Sequence, residues 1–395
     1  MIKLNFTFNV PSQIIFQNGS SNSIVEILKE YHAQSILCVY DKGIKDAGIA
    51  EKVITPLEKS GINVSTYSDV TPDPKIENVL EGYEIATENN IDLIVAIGGG
   101  SSMDCAKAIN ILLTNGGSIR DYEGRNKVNN PTKPLIAVPT TAGTGSEVTS
   151  FTIISDTEKQ KKMVIGGKNC GCDIALVDPE LTLSLPASVT AATGTDALTH
   201  AIEAYVSKNA NIPSQINAIK AIELITQNLE KAVNNGSDIE ARSNMMLGSL
   251  LAGIAFNSAG LGMVHAIAHA LGAKFKIAHG IANAIALPYV VEYNSGLEEV
   301  RVKCVEIAKA MNIHVEGKSS EQVSQELVQK IMDISSEIRI PTLKEVGIGE
   351  DDLVDIAESA LKENSMKFTP RSATKDEMLT VLNSIYFGAI KAVKL

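Results

Sequence analysis

The chain has 395 residues, 44% of them hydrophobic, and a formal net charge of −11 at pH 7. An acidic surface of that kind repels phosphate backbones, which argues against nucleic acid as a partner, and no apolar run approaches the roughly 20 residues of a membrane span. The composition is that of a folded globular protein, long enough for two domains each with its own core.

The N-terminus, MIKLNFTFNVPS, has neither the apolar stretch nor the small-residue cleavage site of a secretory signal. With five cysteines, an odd count, reduced thiols and a cytoplasmic location are expected. Cys170 and Cys172 read as two thiols in a loop, since no second Cys or His pair lies nearby at zinc spacing.

Along the first half, strand-like and helix-like stretches alternate. SILCVY ends at Asp41, and a helical stretch of roughly 46–60 closes at Gly61. INVSTYSDV reads as a strand, PDP as a turn, and about 75–89 as a helix leading to IDLIVAIGGG. PLIAVPTT is a further strand, and 148–178 suggests short strands with a hairpin. This order predicts an α/β domain with a parallel sheet and helices on both faces.

After Pro186 the pattern turns helical. In IPSQINAIKAIELITQNLEKAV, Ile216, Ile219, Ile222 and Ile225 recur at helical spacing, and Thr374 with Glu377 forms a capping-box start for the last helix. The expected division is therefore an α/β domain over 1–186 and an all-helical domain over 187–395.

Two loops in the first half suit a dinucleotide. GGGSSMD follows the most apolar strand and opens a helix, whose free N–H groups and positive dipole end favour a pyrophosphate. It matches neither G-x-G-x-x-G nor a Walker A loop. PTTAGTGSEVT is a second loop dense in glycine and hydroxyl groups after a strand. Asp41, at the end of a third strand, offers a carboxylate to ribose hydroxyls and favours NAD over NADP; read alone, it is more simply a turn residue.

The histidines carry the other signal. Asp196 and His200 are four apart on one predicted helix, His265 and His269 four apart on another, and His279 opens a third. One carboxylate and several imidazoles on three segments can surround a divalent cation, and the absence of thiolate suits Fe(II), Zn, Mn or Co. His32 and His314, in charged helix-end contexts, read as surface residues.

GGGSSMD, PTTAGTGSE, DALTHAIEAYVS, GLGMVHAIAHALGA and AHGIANAIALP, in this order over nearly the whole chain, resemble the signatures of the iron-containing (group III) alcohol dehydrogenases. The resemblance implies a nucleotide-binding α/β domain, a helical domain, and an active site between them. It implies metal ligands at Asp196, His200, His265 and His279. His269 then lies near the nicotinamide and metal without being a firm ligand. Cofactor positions are implied at Asp41, Gly99, Gly100, Ser101, Thr140, Thr141, Thr144, Thr149 and Lys162, and a substrate-pocket position at Phe256. Ala270 and Cys172 depart from residues usual in the family, and neither is a ligand.

The chemistry implied is NAD-linked, metal-dependent hydride transfer between a small alcohol and its aldehyde, with His269 as a proton relay. Fe(II) is the expected metal, with Zn or Mn as alternatives, and a homodimer or larger homo-oligomer is expected. The alternatives are a zinc-dependent polyol (glycerol-type) dehydrogenase or a non-redox cyclisation on the same fold, and a non-catalytic regulator that binds metal or nucleotide.

Overall fold

The computed structural model describes residues 5–159 and 161–389. They fall into two compact units, Val10–Ser184 and a second that runs from Leu185 onward and also takes in residues 5–9.

The unit Val10–Ser184 runs β1 (Gln13–Phe16), α1 (Ile24–Glu30), β2 (Ser35–Asp41), α2 (Lys42–Asp46), α3 (Ile49–Lys59), β3 (Asn63–Val70), α4 (Ile76–Glu88), β4 (Leu93–Gly98) and α5 (Gly100–Asn115). It continues through β5 (Gly124–Arg125), β6 (Leu135–Pro139), β7 (Phe151–Asp156), β8 (Lys161–Gly166) and β9 (Ile174–Val177). One sheet has the order β1-β9-β6-β4-β2-β3, and every pair in it is parallel. Its central strands are apolar at nearly every position because both faces are covered. Leu37, Val39, Ile94 and Ala96 join α4 and α5 in one core, and Ile36, Cys38, Leu93 and Val95 join α1 and α3 in the other. From β2 the chain moves outward to β3, then returns to place β4 on the opposite side of β2 and continues toward β6 and β9. The winding reverses between β2 and β4, so the crevice for a ligand lies outside the carboxyl ends of these two strands, at Asp41 and Gly98.

The helix expected over roughly 46–60 is two helices. Asp41 caps α2 through the N–H of Ile44, and Gly48, at φ 67°, separates α2 from α3. The expected hairpin is the antiparallel pair β7–β8, which forms a small second sheet with β5, while β9 joins the main sheet.

The helical unit contains α6 (Ala187–Val206), α7 (Ile212–Asn234), α8 (Ile239–Ala259), α9 (Met263–Phe275), α10 (His279–Ser295), α11 (Glu298–Ala310), α12 (Ser320–Glu337), α13 (Leu353–Lys362) and α14 (Lys375–Phe387). Residues 5–9 group with it because the end of α8 holds their carbonyls, Asn257 donating to Asn9 and Ser258 to Thr7. The isoleucines of α7 do not share one face. Ile216 is 64% exposed, whereas Ile222 and Ile225 are buried with Ala218, Ala221 and Leu229. A spacing of three falls short of a full turn at 3.6 residues per turn, so such a row drifts off the core face. Thr374 and Glu377 form the expected capping box at the start of α14. Among the described residues no single helix is long and apolar enough to cross a membrane.

Candidate metal centre and cofactor loops

Three helices of the helical unit bring the predicted ligands together. Asp196 and His200 lie one turn apart in α6, both buried among Ala197, Leu198 and Ala201. Between α8 and α9 the chain turns by 101°, and His265 lies in the first turn of α9. His279 is the first residue of α10. The next residue must be glycine, since a Cβ on Gly280 would fall 2.2 Å from the carbonyl oxygen of Ala192 in α6. That contact sets His279 against the helix that carries Asp196.

Oδ1 of Asp196 is 3.8 Å from Nε2 of His200, 3.8 Å from Nε2 of His265 and 3.7 Å from Nε2 of His279. One donor atom from each of the four residues lies within 4.8 Å of the others. Burial raises the Asp196 carboxyl above its ordinary range, opposed by His200 beside it and by the Asn283 amide. Burial, with His200 and His269 nearby, holds His265 well below the ordinary imidazole value, so it stays neutral with a lone pair to offer. Nδ2 of Asn283 faces this cluster, 2.6 Å from Asp196 Oδ1 and 3.2 Å from Nε2 of both His265 and His279. A carboxylate oxygen and three imidazole nitrogens turned inward, without thiolate, fit a first-row divalent cation.

Phe256 of α8 stacks on the His200 ring at a centroid distance of 4.4 Å, which puts the expected pocket residue against the cluster. His269 lies one turn beyond His265 and outside the four-residue group. Its ring stacks on His279 at 5.5 Å, and its Nδ1 is 3.1 Å from Oε2 of Glu363. His32 and His314 are exposed, as expected.

Three residues of this centre escaped the sequence reading. Glu203 bonds His265 at 2.7 Å, and its position three residues after His200 on the same helical face was a readable signal. Asn283, four residues after His279, carried the same kind of signal. Glu363 carried none, because it lies 94 residues from His269 at a charged helix end.

In the sheet unit the candidate cofactor residues gather at the winding reversal. Gly99 precedes α5, and Gly100 and Ser101 begin it. A Cβ on Gly100 would fall 2.8 Å from the Thr144 side chain, so the second loop lies directly on the first. The hydroxyls of Thr140 and Thr141 are buried without a protein partner, as an incoming polar ligand would require. With the glycine cradle and the N-terminus of α5, they fit a dinucleotide phosphate.

Other positions already have structural duties. Asp41 caps α2 and accepts a bond from Ser102 Oγ at 3.2 Å. The Thr149 hydroxyl bonds Ser146 and Lys107, and Lys162 pairs with Asp73. Lys107, which the sequence reading passed over, is 1% exposed. It donates to Ser146, Thr149 and Phe151 and so fixes the loop from beneath.

Glu147 in the same loop is 4% exposed. Burial pushes its carboxyl up from 4.5 to about 7, against the opposing pull of its own N–H and Lys107. A raised acid binds its proton more tightly when folded, so stability falls as pH rises from about 4.5 through about 7. Glu147→Gln is expected to abolish that part of the fall, about 2–3 kcal/mol between pH 5 and pH 8, in urea unfolding of both proteins. An equal slope in the two proteins would contradict this.

Residues 11–179 match the family described as "Iron-containing alcohol dehydrogenase", and residues 190–386 match the "Fe-containing alcohol dehydrogenase family, C-terminal". The chain is 40% identical over 385 residues to a 1,3-propanediol dehydrogenase of Citrobacter freundii, covering 96% of this chain and 99% of that one. It is 35% identical over 374 residues to the lactaldehyde reductase of Escherichia coli K12, covering 94% and 97%. A solved 1,3-propanediol oxidoreductase structure superimposes with a TM-score of 0.94 at 38% identity, over 97% of this chain and all of that one (100%). With both parts of the family matched and the four donor side chains together, the chain belongs to the iron-containing alcohol dehydrogenases, a family of NAD-linked, metal-dependent alcohol and aldehyde oxidoreductases.

Proposed function

We propose that this chain interconverts a small primary alcohol and its aldehyde, with Asp196, His200, His265 and His279 holding one divalent ion, Fe(II) in preference to Zn or Mn. The convergence of those four donors carries the reading. When bound, the ion supplies Lewis acidity toward the substrate oxygen and the nicotinamide supplies or accepts the hydride.

The chain's own groups do the rest. Phe256 bounds the space beside His200 and limits the substrate's width. Oε2 of Glu363 lies 3.1 Å from His269 Nδ1; an ionised Glu363 would accept an N–H there and leave Nε2 to exchange a proton with the substrate oxygen. In oxidation that nitrogen would take the proton leaving the alcohol oxygen, and in reduction it would return one. The loops at Gly99, Gly100, Ser101, Thr140, Thr141 and Thr144 cradle the dinucleotide, and the charge of Asp41 repels a 2′-phosphate and favours NAD. Thr149, at the end of the second loop, and Lys162, on β8 where it pairs with Asp73, complete the cofactor positions. The names of the relatives, 1,3-propanediol dehydrogenase and lactaldehyde reductase, fit short, hydroxylated or unbranched substrates. A cytoplasmic homo-oligomer accords with the family resemblance.

The test follows NADH and NADPH absorbance with propanal, lactaldehyde and, in the oxidative direction, glycerol, on protein loaded anaerobically with Fe(II). The aldehydes are expected to oxidise NADH readily and NADPH poorly. Turnover confined to glycerol, or metal and NADH binding with no aldehyde reduced, would overturn the proposal.

A further inference from the structure

We infer that Glu203 is the positioning residue of the metal centre: its carboxylate fixes the tautomer of His265 and ties α9 to the helix that carries the other two buried ligands. The inference rests on the metal reading above.

Glu203 lies on α6, seven residues after Asp196 and three after His200, on the same face. It is 4% exposed, accepts two backbone hydrogen bonds and meets one imidazole nitrogen. Oε2 takes the N–H of Gly262 at 3.0 Å and His265 Nδ1 at 2.7 Å, and Oε1 takes the N–H of Val264 at 2.7 Å. One backbone N–H donates to each carboxylate oxygen, and this together with the N-terminal end of α9 favours the ionised, acceptor-only form of Glu203, which in turn places the proton of the neutral imidazole on Nδ1. The lone pair is then on Nε2, the atom that faces Asp196 Oδ1. The two backbone donors belong to the N-terminus of α9, whose first N–H groups have no partner within the helix and whose dipole favours a negative charge there. The same two oxygens therefore set both the register of α9 and the direction of its ligand. Gly262 leaves room for this, since a Cβ there would fall 3.0 Å from Oε1.

The test is Glu203→Gln in the full chain. The amide has the same shape, but it has lost one acceptor and would turn an N–H either toward His265 Nδ1 or toward a backbone donor. Affinity for Co(II) and Zn(II), measured on metal-stripped protein by competition with a chromophoric chelator, is expected to fall about 10–100-fold. The visible spectrum of the Co(II) form should change, while NADH affinity is unchanged. A Glu203 that only capped α9 would lower the melting temperature of the metal-free variant and leave its metal affinity at the parent value, which would overturn the inference. A second measurement does not depend on the variant folding: 15N NMR of histidine in the metal-free parent is expected to show His265 protonated at Nδ1, and protonation at Nε2 would overturn the inference. His265→Ala keeps the two readings apart. If it retains metal, the metal reading fails; if it loses metal while Glu203→Gln binds like the parent, this inference alone fails.

Discussion

His265→Ala and His279→Ala are each expected to lose the divalent ion and, with it, aldehyde reduction, while NADH still binds. Each substitution removes a donor outright, so the affinity loss should exceed the roughly 10–100-fold of an outer partner. NADH binding is expected to survive because the proposed cofactor positions in the glycine loop, in the threonine loop and at Asp41 all belong to the unit Val10–Ser184. The two variants should differ in the stability of the metal-free protein. His265 is 1% exposed and is held by Glu203, and its removal strips one donor from a buried carboxylate, a cost of roughly 1–3 kcal/mol. His279 begins α10 with its side chain 32% exposed, so its loss should leave the melting temperature nearly unchanged. Anaerobic elemental analysis, NADH titration and thermal melts measure all three effects. Stoichiometric metal with full turnover in either variant would contradict the assignment.

Lys107→Met is expected to cost the first unit about 3–5 kcal/mol. The ammonium group lies 2.7 Å from the carbonyl of Ser146, 3.3 Å from that of Thr149 and 2.9 Å from that of Phe151. Methionine fills nearly the same volume but donates nothing. Each buried carbonyl stripped of its donor costs roughly 1–3 kcal/mol, and local relaxation recovers part of the sum. Asp104 is affected as well, because its partner Ser146 Oγ, 2.7 Å away, also receives a bond from Lys107. The loop so loosened carries Thr140, Thr141 and Thr144, and NADH affinity should fall with stability. Urea unfolding and NADH titration check this; a variant as stable as the parent would show that the loop holds itself.

The four-residue cluster was legible because helices convert spacing into geometry. Asp196/His200 and His265/His269 are i,i+4 pairs, and the glycine beside His279 marks a close helix approach that the structure places against Ala192. The parallel sheet was legible from the alternation of strand-like and helix-like stretches. What stayed hidden depends on contacts between segments distant in sequence. Glu363 reaches His269 across 94 residues, and Lys107 reaches Phe151 across 44. Lys107 sits in AKAINILL, where a lysine ordinarily faces water, and its burial is decided by the second loop above it. The isoleucine row of α7 marked the helix correctly, but a spacing of three is a local pattern that does not define the buried face, which follows Ala218, Ile222, Ile225 and Leu229.

The most direct measurement is anomalous diffraction at the iron edge from crystals of anaerobically loaded protein. The account predicts a single peak per chain, roughly 2.0–2.2 Å from an Asp196 carboxylate oxygen and from Nε2 of His200, His265 and His279. A peak elsewhere, or loaded protein with those four side chains turned away from the ion, would contradict it.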